Sequence, residues 1–132
     1  RGRAGCAVAM LLVRVRLDRS PIHGLGVFAA EPIARGTEVW RLTPGFDLEA
    51  HPALLERQPA RVRGHLLHYG YIDRRLKLFI LCCDDARFLN HSETPNLGPD
   101  YTLERHGVDI ALRDIREGEE LTVDYRAIEE AP

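Results

Sequence analysis

Three groups of residues carry side chains that could bind or transform a ligand. The densest is Arg87-Phe88-Leu89-Asn90-His91-Ser92-Glu93-Thr94-Pro95-Asn96, which follows the acidic pair Asp84-Asp85. The others are the glycine turn His23-Gly24-Leu25-Gly26 and the segment Glu120-Leu121-Thr122-Val123-Asp124-Tyr125. His91 has the chemistry of a general base, but a histidine in a turn-rich loop more often satisfies backbone groups, and that reading is favoured. Asp84 and Asp85 have the makings of a carboxylate dyad; capping of the turn before Ala86 is the simpler use. Gly24 and Gly26 lack Cβ atoms, so backbone there can approach a ligand closely, although an isolated Gly-x-Gly is otherwise a hairpin turn. Tyr125 taken alone would be ordinary packing. Asn90-His91-Ser92 also satisfies the glycosylation sequon, with no secretion signal to support it.

A polar loop of this kind needs a frame. Asn90, Ser92, Glu93, Thr94, Pro95 and Asn96 are turn formers, so no regular element is expected past Leu89 within the loop. The apolar run Leu78 to Cys83 and the segment Leu121 to Tyr125 are expected to hold it. Leu11, Val13, Val15 and Leu17 alternate with Arg14, Arg16 and Asp18, the pattern of a half-buried strand. Gly24 to Ala29 happens to satisfy the dinucleotide-binding pattern G-x-G-x-x-A, but Pro32 and Gly36 leave no room for the required helix, and Val27 and Phe28 suit a strand. Ile33-Ala34-Arg35-Gly36 turns the chain into a strand over Val39 to Leu42, and Ile115-Arg116-Glu117-Gly118 repeats that logic. Between Leu48 and Leu67 the apolar residues fall irregularly around Pro52 and Pro59, which predicts two short helices, with His51, Arg57, Arg61 and Arg63 on a solvated face. His68 to Asp73 is expected to begin a hairpin that returns over Leu76 to Cys83, and a second hairpin joins Tyr101–Arg105 to Val108–Leu112. So many short strands imply a β-rich domain.

The three groups, in this order, closely resemble the SET domain family, the S-adenosylmethionine-dependent protein lysine methyltransferases. The family's glycine turn matches His23 to Gly26, its Arg-Phe-x-Asn-His-Ser-x-x-Pro-Asn motif matches Arg87 to Asn96, and its Glu-Leu-x-x-Asp-Tyr motif matches Glu120 to Tyr125. The resemblance covers about residues 11 to 126. It implies a mainly β fold, a β-clip of several small sheets with short helices in an insert. The C-terminal strand would pass through the Asn90 to Asn96 loop as a pseudoknot, an exception among folds that rarely thread. It also implies S-adenosylmethionine as cofactor, bound by His23, Gly24, Leu25, Gly26, Arg87, Phe88, Asn90, His91 and Tyr125, with the Asn90 side chain on the cofactor's amino group. The reaction implied is methyl transfer to a lysine side chain of a protein or peptide. Tyr125 would place its hydroxyl near the transferring methyl, and Tyr69 and Tyr101, ranked above Tyr71, would be further catalytic tyrosines along the lysine channel. Val123 stands where some members carry a Phe or Tyr that limits the number of methyl groups, so Tyr101 is the expected limiter. The competing expectations are a SET-like module that binds cofactor and peptide without catalysis, and transfer to a non-lysine acceptor. Retention of Tyr125, Asn90 and His91 together speaks for catalysis.

At 132 residues the chain makes one domain. Residues 1–10 are expected to be a disordered or cloning-derived leader, 11–126 the SET domain and 127–132 a short tail. A formal net charge of −2 gives no basic face, so nucleic acid is not expected as a direct partner. Arg1-Gly2-Arg3 and the apolar residues to Val13 imitate a signal peptide, but the strand alternation from Leu11 argues against one. No membrane partner is expected, and the location expected is cytoplasmic, or nuclear with histone substrates in a eukaryotic or viral setting. Cys6, Cys82 and Cys83 are too few for a disulfide framework and read as buried thiols. The zinc-binding cysteine segments that flank many SET domains are missing, so no metal is expected. With seven residues after Tyr125, a homodimer partner is expected to complete one wall of the lysine channel.

Overall fold

The computed structural model describes residues 11–129; the expectations for Cys6 and for a leader over residues 1–10 lie outside them. Strands β1 (Val15–Arg19) and β2 (Leu25–Ala29) form an antiparallel hairpin in which Val15 faces Ala29 and Arg19 faces Leu25. The glycine segment is thus a turn into a strand, as its Val-Phe sequence predicts, and not the start of a helix. The alternation from Leu11 to Leu17 also holds, since Leu11 and Val13 are buried while Leu12, Arg14 and Arg16 are exposed. One periodic run nevertheless serves two partners. Its first half bonds to β3 (Glu38–Trp40), with the Leu12 N–H donating to the Val39 carbonyl at 2.7 Å, and only its second half pairs with β2.

The remaining strands make two three-stranded sheets and one two-stranded pair. In the first sheet β3 pairs with β9 (Val108–Ala111), which pairs with β8 (Leu97–Asp100). The predicted hairpin is present, but its first strand is β8, and Tyr101 to Arg105 belong to the connecting loop. Gly98-Pro99 reads as a breaker; on the edge of a sheet Pro99 has no ladder bond to lose. In the second sheet β4 (Leu48–Ala50) pairs with β6 (Phe79–Leu81), which pairs with β5 (Tyr71–Ile72). Helices α1 (Ala53–Glu56) and α2 (Ala60–Tyr69) begin directly after Pro52 and Pro59, where a missing N–H costs nothing. Because α2 runs on through His68 and Tyr69, the hairpin starts at Tyr71 and not at His68. Cys82 is buried and Cys83 exposed, which corrects the expectation of two buried thiols.

The C-terminal segment is held on both sides. The Leu121 N–H donates to the Val27 carbonyl at 2.7 Å, and the Ala29 N–H donates to the Glu119 carbonyl at 2.9 Å. On its other side β10 (Thr122–Val123) runs parallel to β7 (Asn90–His91), a two-residue strand where only loop was expected. The segment therefore lies between β2 and the Asn90 to Asn96 loop. The repeated Ile-x-x-Gly turns meet here as well: Ile33 and Ile115 exchange backbone bonds of 2.9 and 2.8 Å, and Gly36 and Gly118 take φ of 87° and 92°. Val27, Leu97, Ile115 and Leu121 are wholly or almost wholly buried at this junction. Each contributes roughly 1.5–3 kcal/mol on burial. Among the described residues no helix is long and apolar enough to cross a membrane.

Asn96, 2% exposed, joins the loop to this segment by side chain. Its Nδ2 donates to the Glu120 carbonyl at 2.8 Å, and its Oδ1 accepts from the Thr122 N–H at 2.8 Å. Asn96→Ala leaves both backbone groups buried without partners, at about 1–3 kcal/mol each. Urea unfolding should show a loss of at least about 2 kcal/mol; a loss within experimental error would show that the clamp is dispensable.

Candidate active site

The glycine turn is shaped from beneath by two polar side chains. Asn90 Nδ2 donates to the carbonyls of His23 and Leu25, both at 3.1 Å, and to Glu120 Oε2 at 2.8 Å. Three acceptors around one nitrogen fix which way the amide points. Glu120 also takes the Ser20 hydroxyl, 2.8 Å from each carboxylate oxygen. Gly24 has φ of 46°, and a Cβ at Gly26 would run into the Glu120 carboxylate. The two glycines therefore have different reasons, one conformational and one steric. Asn90 acts on the turn through its nitrogen. Among the described residues its Oδ1 has no bonded partner, and that is the atom an ammonium would need. Glu120 was the first residue of the last motif, with no role assigned to it; the alternation Glu120, Thr122, Asp124 gave no sign that it turns inward.

His91 and Tyr125 are fixed by backbone. His91 Nδ1 accepts the Tyr125 N–H at 3.1 Å, which makes Nδ1 the acceptor nitrogen of the ring in this arrangement. The same Nδ1 lies 3.7 Å from Asp124; as an acceptor it makes no ion pair there. His91 thus has the structural use favoured from sequence. Asp84 likewise caps the short 3-10 turn Asp85–Phe88 by accepting the Ala86 N–H at 3.0 Å. Tyr125 opens helix α3 (Tyr125–Ile128), and its hydroxyl donates to the Leu89 carbonyl at 2.6 Å. Burial, followed by the charge of Glu129, raises the Tyr125 hydroxyl above its ordinary pKa. At neutral pH it is therefore a protonated hydrogen-bond donor.

Two clefts flank this tyrosine. One, of about 480 Å³, is lined by His23, Gly24, Leu25, Phe88, Asn90 and His91 together with Ile22. The other, of about 410 Å³, is lined by Trp40, Tyr71, Cys82, Asp109, Val123 and Glu129 among others. His68, Tyr69, Arg87, Leu89 and Tyr125 line both. Both volumes are in the range of small-ligand sites. Ile22, Leu25 and Leu67, each close to half exposed, put apolar surface on their walls. The Arg87 Nε donates to the Cys82 carbonyl at 3.1 Å while its guanidinium lies 5.2 Å from the Tyr69 ring, and Phe88 meets Tyr69 edge-on at 5.9 Å. Every residue named from sequence as cofactor-binding therefore lies on the first cleft, except Gly26, which supports it from behind.

The tyrosines divide differently from their expected ranking. Tyr69, at the end of α2, lines both clefts, and Tyr71 lines the second. Tyr101 lines neither: it sits in the loop after β8 with the Arg75 guanidinium 3.8 Å from its ring, because the strand expected to carry it ends at Asp100. Asp109 was missed altogether. Val108-Asp109-Ile110 reads as a strand with its polar residue outward, yet the outward face of β9 at this point is the cleft wall. Burial pushes its carboxyl up to about 7. Burial also pushes Asp84, whose Oδ2 is buried without a partner, up to about 6.

The SET domain family model matches residues 24–126. The chain belongs to the SET domain family. Among solved structures, one from Plasmodium falciparum, provisionally assigned as a histone methyltransferase, superposes with a TM-score of 0.56 at 23% identity. The match covers 86% of this chain and 93% of that one, and the likeness is one of fold. No similar sequence was found among the curated proteins.

Two outcomes test the geometry. Gly26→Ala should cost about 1–3 kcal/mol by forcing Glu120 aside, and the cost should shrink markedly in a Glu120→Ala background. Equal costs in both backgrounds would break the link. The second is pH dependence. Asp109 binds its proton more tightly folded than unfolded, where its pKa is about 3.9. The contribution is complete below about pH 4 and is lost as pH rises through about 7. Stability should fall across that window, by up to about 1.4 kcal/mol per pH unit for one group. Asp109→Asn should flatten the upper part, above the Asp84 transition; an unchanged slope between about pH 6 and 7 would contradict it.

Proposed function

We propose that this SET domain is a protein-lysine N-methyltransferase that uses S-adenosylmethionine. SET domains are in general methyltransferases, and one observation carries the finer reading: two clefts of ligand size share five wall residues and flank the Tyr125 hydroxyl. Methyl transfer to an amine is an in-line displacement, so the donor and the acceptor must be held end to end. The first cleft fits the cofactor on grounds of its own. It has a backbone cradle at Gly24, apolar cover from Ile22 and Leu25, and an unpaired Asn90 Oδ1 suited to an amino group. When bound there, the cofactor supplies an activated methyl group on a positively charged sulfur.

The second cleft suits a lysine side chain. Trp40, Tyr69, Tyr71 and Tyr125 give it aromatic walls, and Asp109 and Glu129 make it attractive to a cation. A lysine with pKa near 10.4 must lose its proton to react, at about 4–5 kcal/mol in water at pH 7. Desolvation between these walls lowers that cost, because burial disfavours the ammonium. The protonated Tyr125 hydroxyl, held on the Leu89 carbonyl, orients whatever enters at the junction.

Incubation with methyl-labelled S-adenosylmethionine and a panel of lysine-bearing, lysine-free and lysine-blocked proteins should place label on lysine only. Cofactor binding without transfer to any acceptor would make the domain a binding module; label on another residue type would change the acceptor. Tyr125→Phe should keep cofactor affinity, lose roughly 1 kcal/mol of stability with its hydrogen bond, and turn over at least about tenfold more slowly. Wild-type turnover in that variant would reject the role given to Tyr125.

A further inference from the structure

Asp109 lies at the centre of strand β9, where its cross-strand partner is Trp40. Both side chains line the second cleft, and both are at least nine-tenths buried. The Trp40 Nε1 is buried with no hydrogen-bond partner. Among the described residues the Asp109 carboxylate has no hydrogen bond or ion pair either. An indole N–H and a carboxylate therefore stand on one wall, bonded neither to each other nor to any other described residue. A buried N–H without a partner is rare, and here an unpaired carboxylate open to the same cleft lies on the neighbouring strand, so a polar ligand group would complete this wall.

The charges around the carboxylate decide which group that is. From β5 and the turn after it come Tyr71 and Asp73, from the residue that follows β6 comes Cys82, and from the loop after β8 comes Tyr101 with Arg75 stacked on it. Across the cleft stand His68, Arg87, Tyr125 and Glu129. Arg87 is committed to the Cys82 carbonyl and the Tyr69 ring, and Arg75 to Tyr101. Among the described residues no cation is paired with Asp109, and Glu129 adds a second acid. We propose that Asp109 is the group that receives the ammonium of the incoming side chain and takes its proton. The inference rests on the lysine-methyltransferase reading of this cleft and names the residue that selects its substrate.

The step balances within the pair. An N–H of the ammonium donates to a carboxylate oxygen, and the proton crosses along that bond. The amine nitrogen keeps the electron pair as a lone pair, and Asp109 becomes a neutral acid. That acid returns the proton to water when the cleft empties. A carboxyl that burial has already raised to about 7 is suited to both directions near neutral pH. Tyr71 and Tyr125 hold their protons more tightly than ordinary phenols and are poor acceptors by comparison.

The probe is n-butylammonium, the lysine side chain without its backbone, with 1-butanol as the neutral control. In NMR titrations of the cofactor-free protein, butylammonium should shift the Tyr71 ring signals, and Asp109→Asn should weaken its binding by at least about tenfold while leaving 1-butanol unchanged. Asn copies the shape of the protonated acid, so the variant should fold. Independently of any variant, the ¹³C-carboxyl titration of Asp109 in the wild-type protein should move down by about one unit or more when butylammonium is saturating. Equal binding by the two proteins, or a carboxyl titration that the amine does not move, overturns the proposal. Neither readout involves methyl transfer. Lysine methylation by Asp109→Asn at the wild-type rate and pH profile would overturn this role for Asp109 and leave the transferase reading standing. Amine binding that depends on Asp109, in a protein that transfers no methyl group, would support the amine site and remove the transferase reading.

Discussion

The Asn90 amide and the Glu120 carboxylate meet beneath the glycine turn, 2.8 Å apart, and the candidate site depends on that contact. Asn90 belongs to the central loop, Glu120 to the C-terminal segment, and the turn they support to the first hairpin. One charge-assisted hydrogen bond thus joins three stretches far apart in sequence. Asn96 repeats the device six residues on, clasping the backbone on either side of Leu121. Such contacts only work if the segment lies between β2 and the loop, so the same bonds that shape the turn also fix the unusual path of the chain. The small sheets could not do this unaided. Pairs of two or three residues supply few ladder bonds, and buried polar side chains supply the missing specificity.

A second constraint comes from what the clefts exclude. Five shared residues separate a turn lined by backbone and apolar side chains from a pocket lined by aromatics and two acids. Charges inside the second pocket are costly unless matched, which is why Asp109, Tyr71 and Tyr125 all favour their neutral forms. The fold supplies those costs through its core: Val108, which is fully buried, fixes the facing of β9 and so keeps Asp109 on the cleft wall. Structure and proposed chemistry therefore meet in one strand.

Much of this was legible in the sequence. The alternation from Leu11, the strand after the glycines, the paired Ile-x-x-Gly turns and the helices after Pro52 and Pro59 are local patterns, and local patterns survive into the fold. The motif residues gathered on one cleft because each motif couples turn formers to an apolar anchor. What escaped reading was set by partners elsewhere in the chain. Asn90-His91 is a strand only because Thr122-Val123 lies beside it. Tyr69 ends a helix because Gly70, whose Cβ would strike Phe79, is where the chain must turn. Tyr101 lost its place because β8 ends one residue before it. Glu120 and Asp109 look like the outward residues of alternating strands, and alternation cannot say that the outward face is a polar junction or a cavity.

Tyr125 lines both clefts, and in the proposed reaction a methyl group passes from one to the other beside it. S-adenosylmethionine carrying ¹³C in its transferable methyl, bound to the protein, tests it by isotope-filtered nuclear Overhauser measurements. The account predicts contacts from that methyl to the Tyr125 ring and to Tyr69 or Leu89, with the rest of the cofactor touching Leu25 and Phe88. Contacts to residues of neither cleft, or saturable binding with the methyl remote from Tyr125, would contradict it.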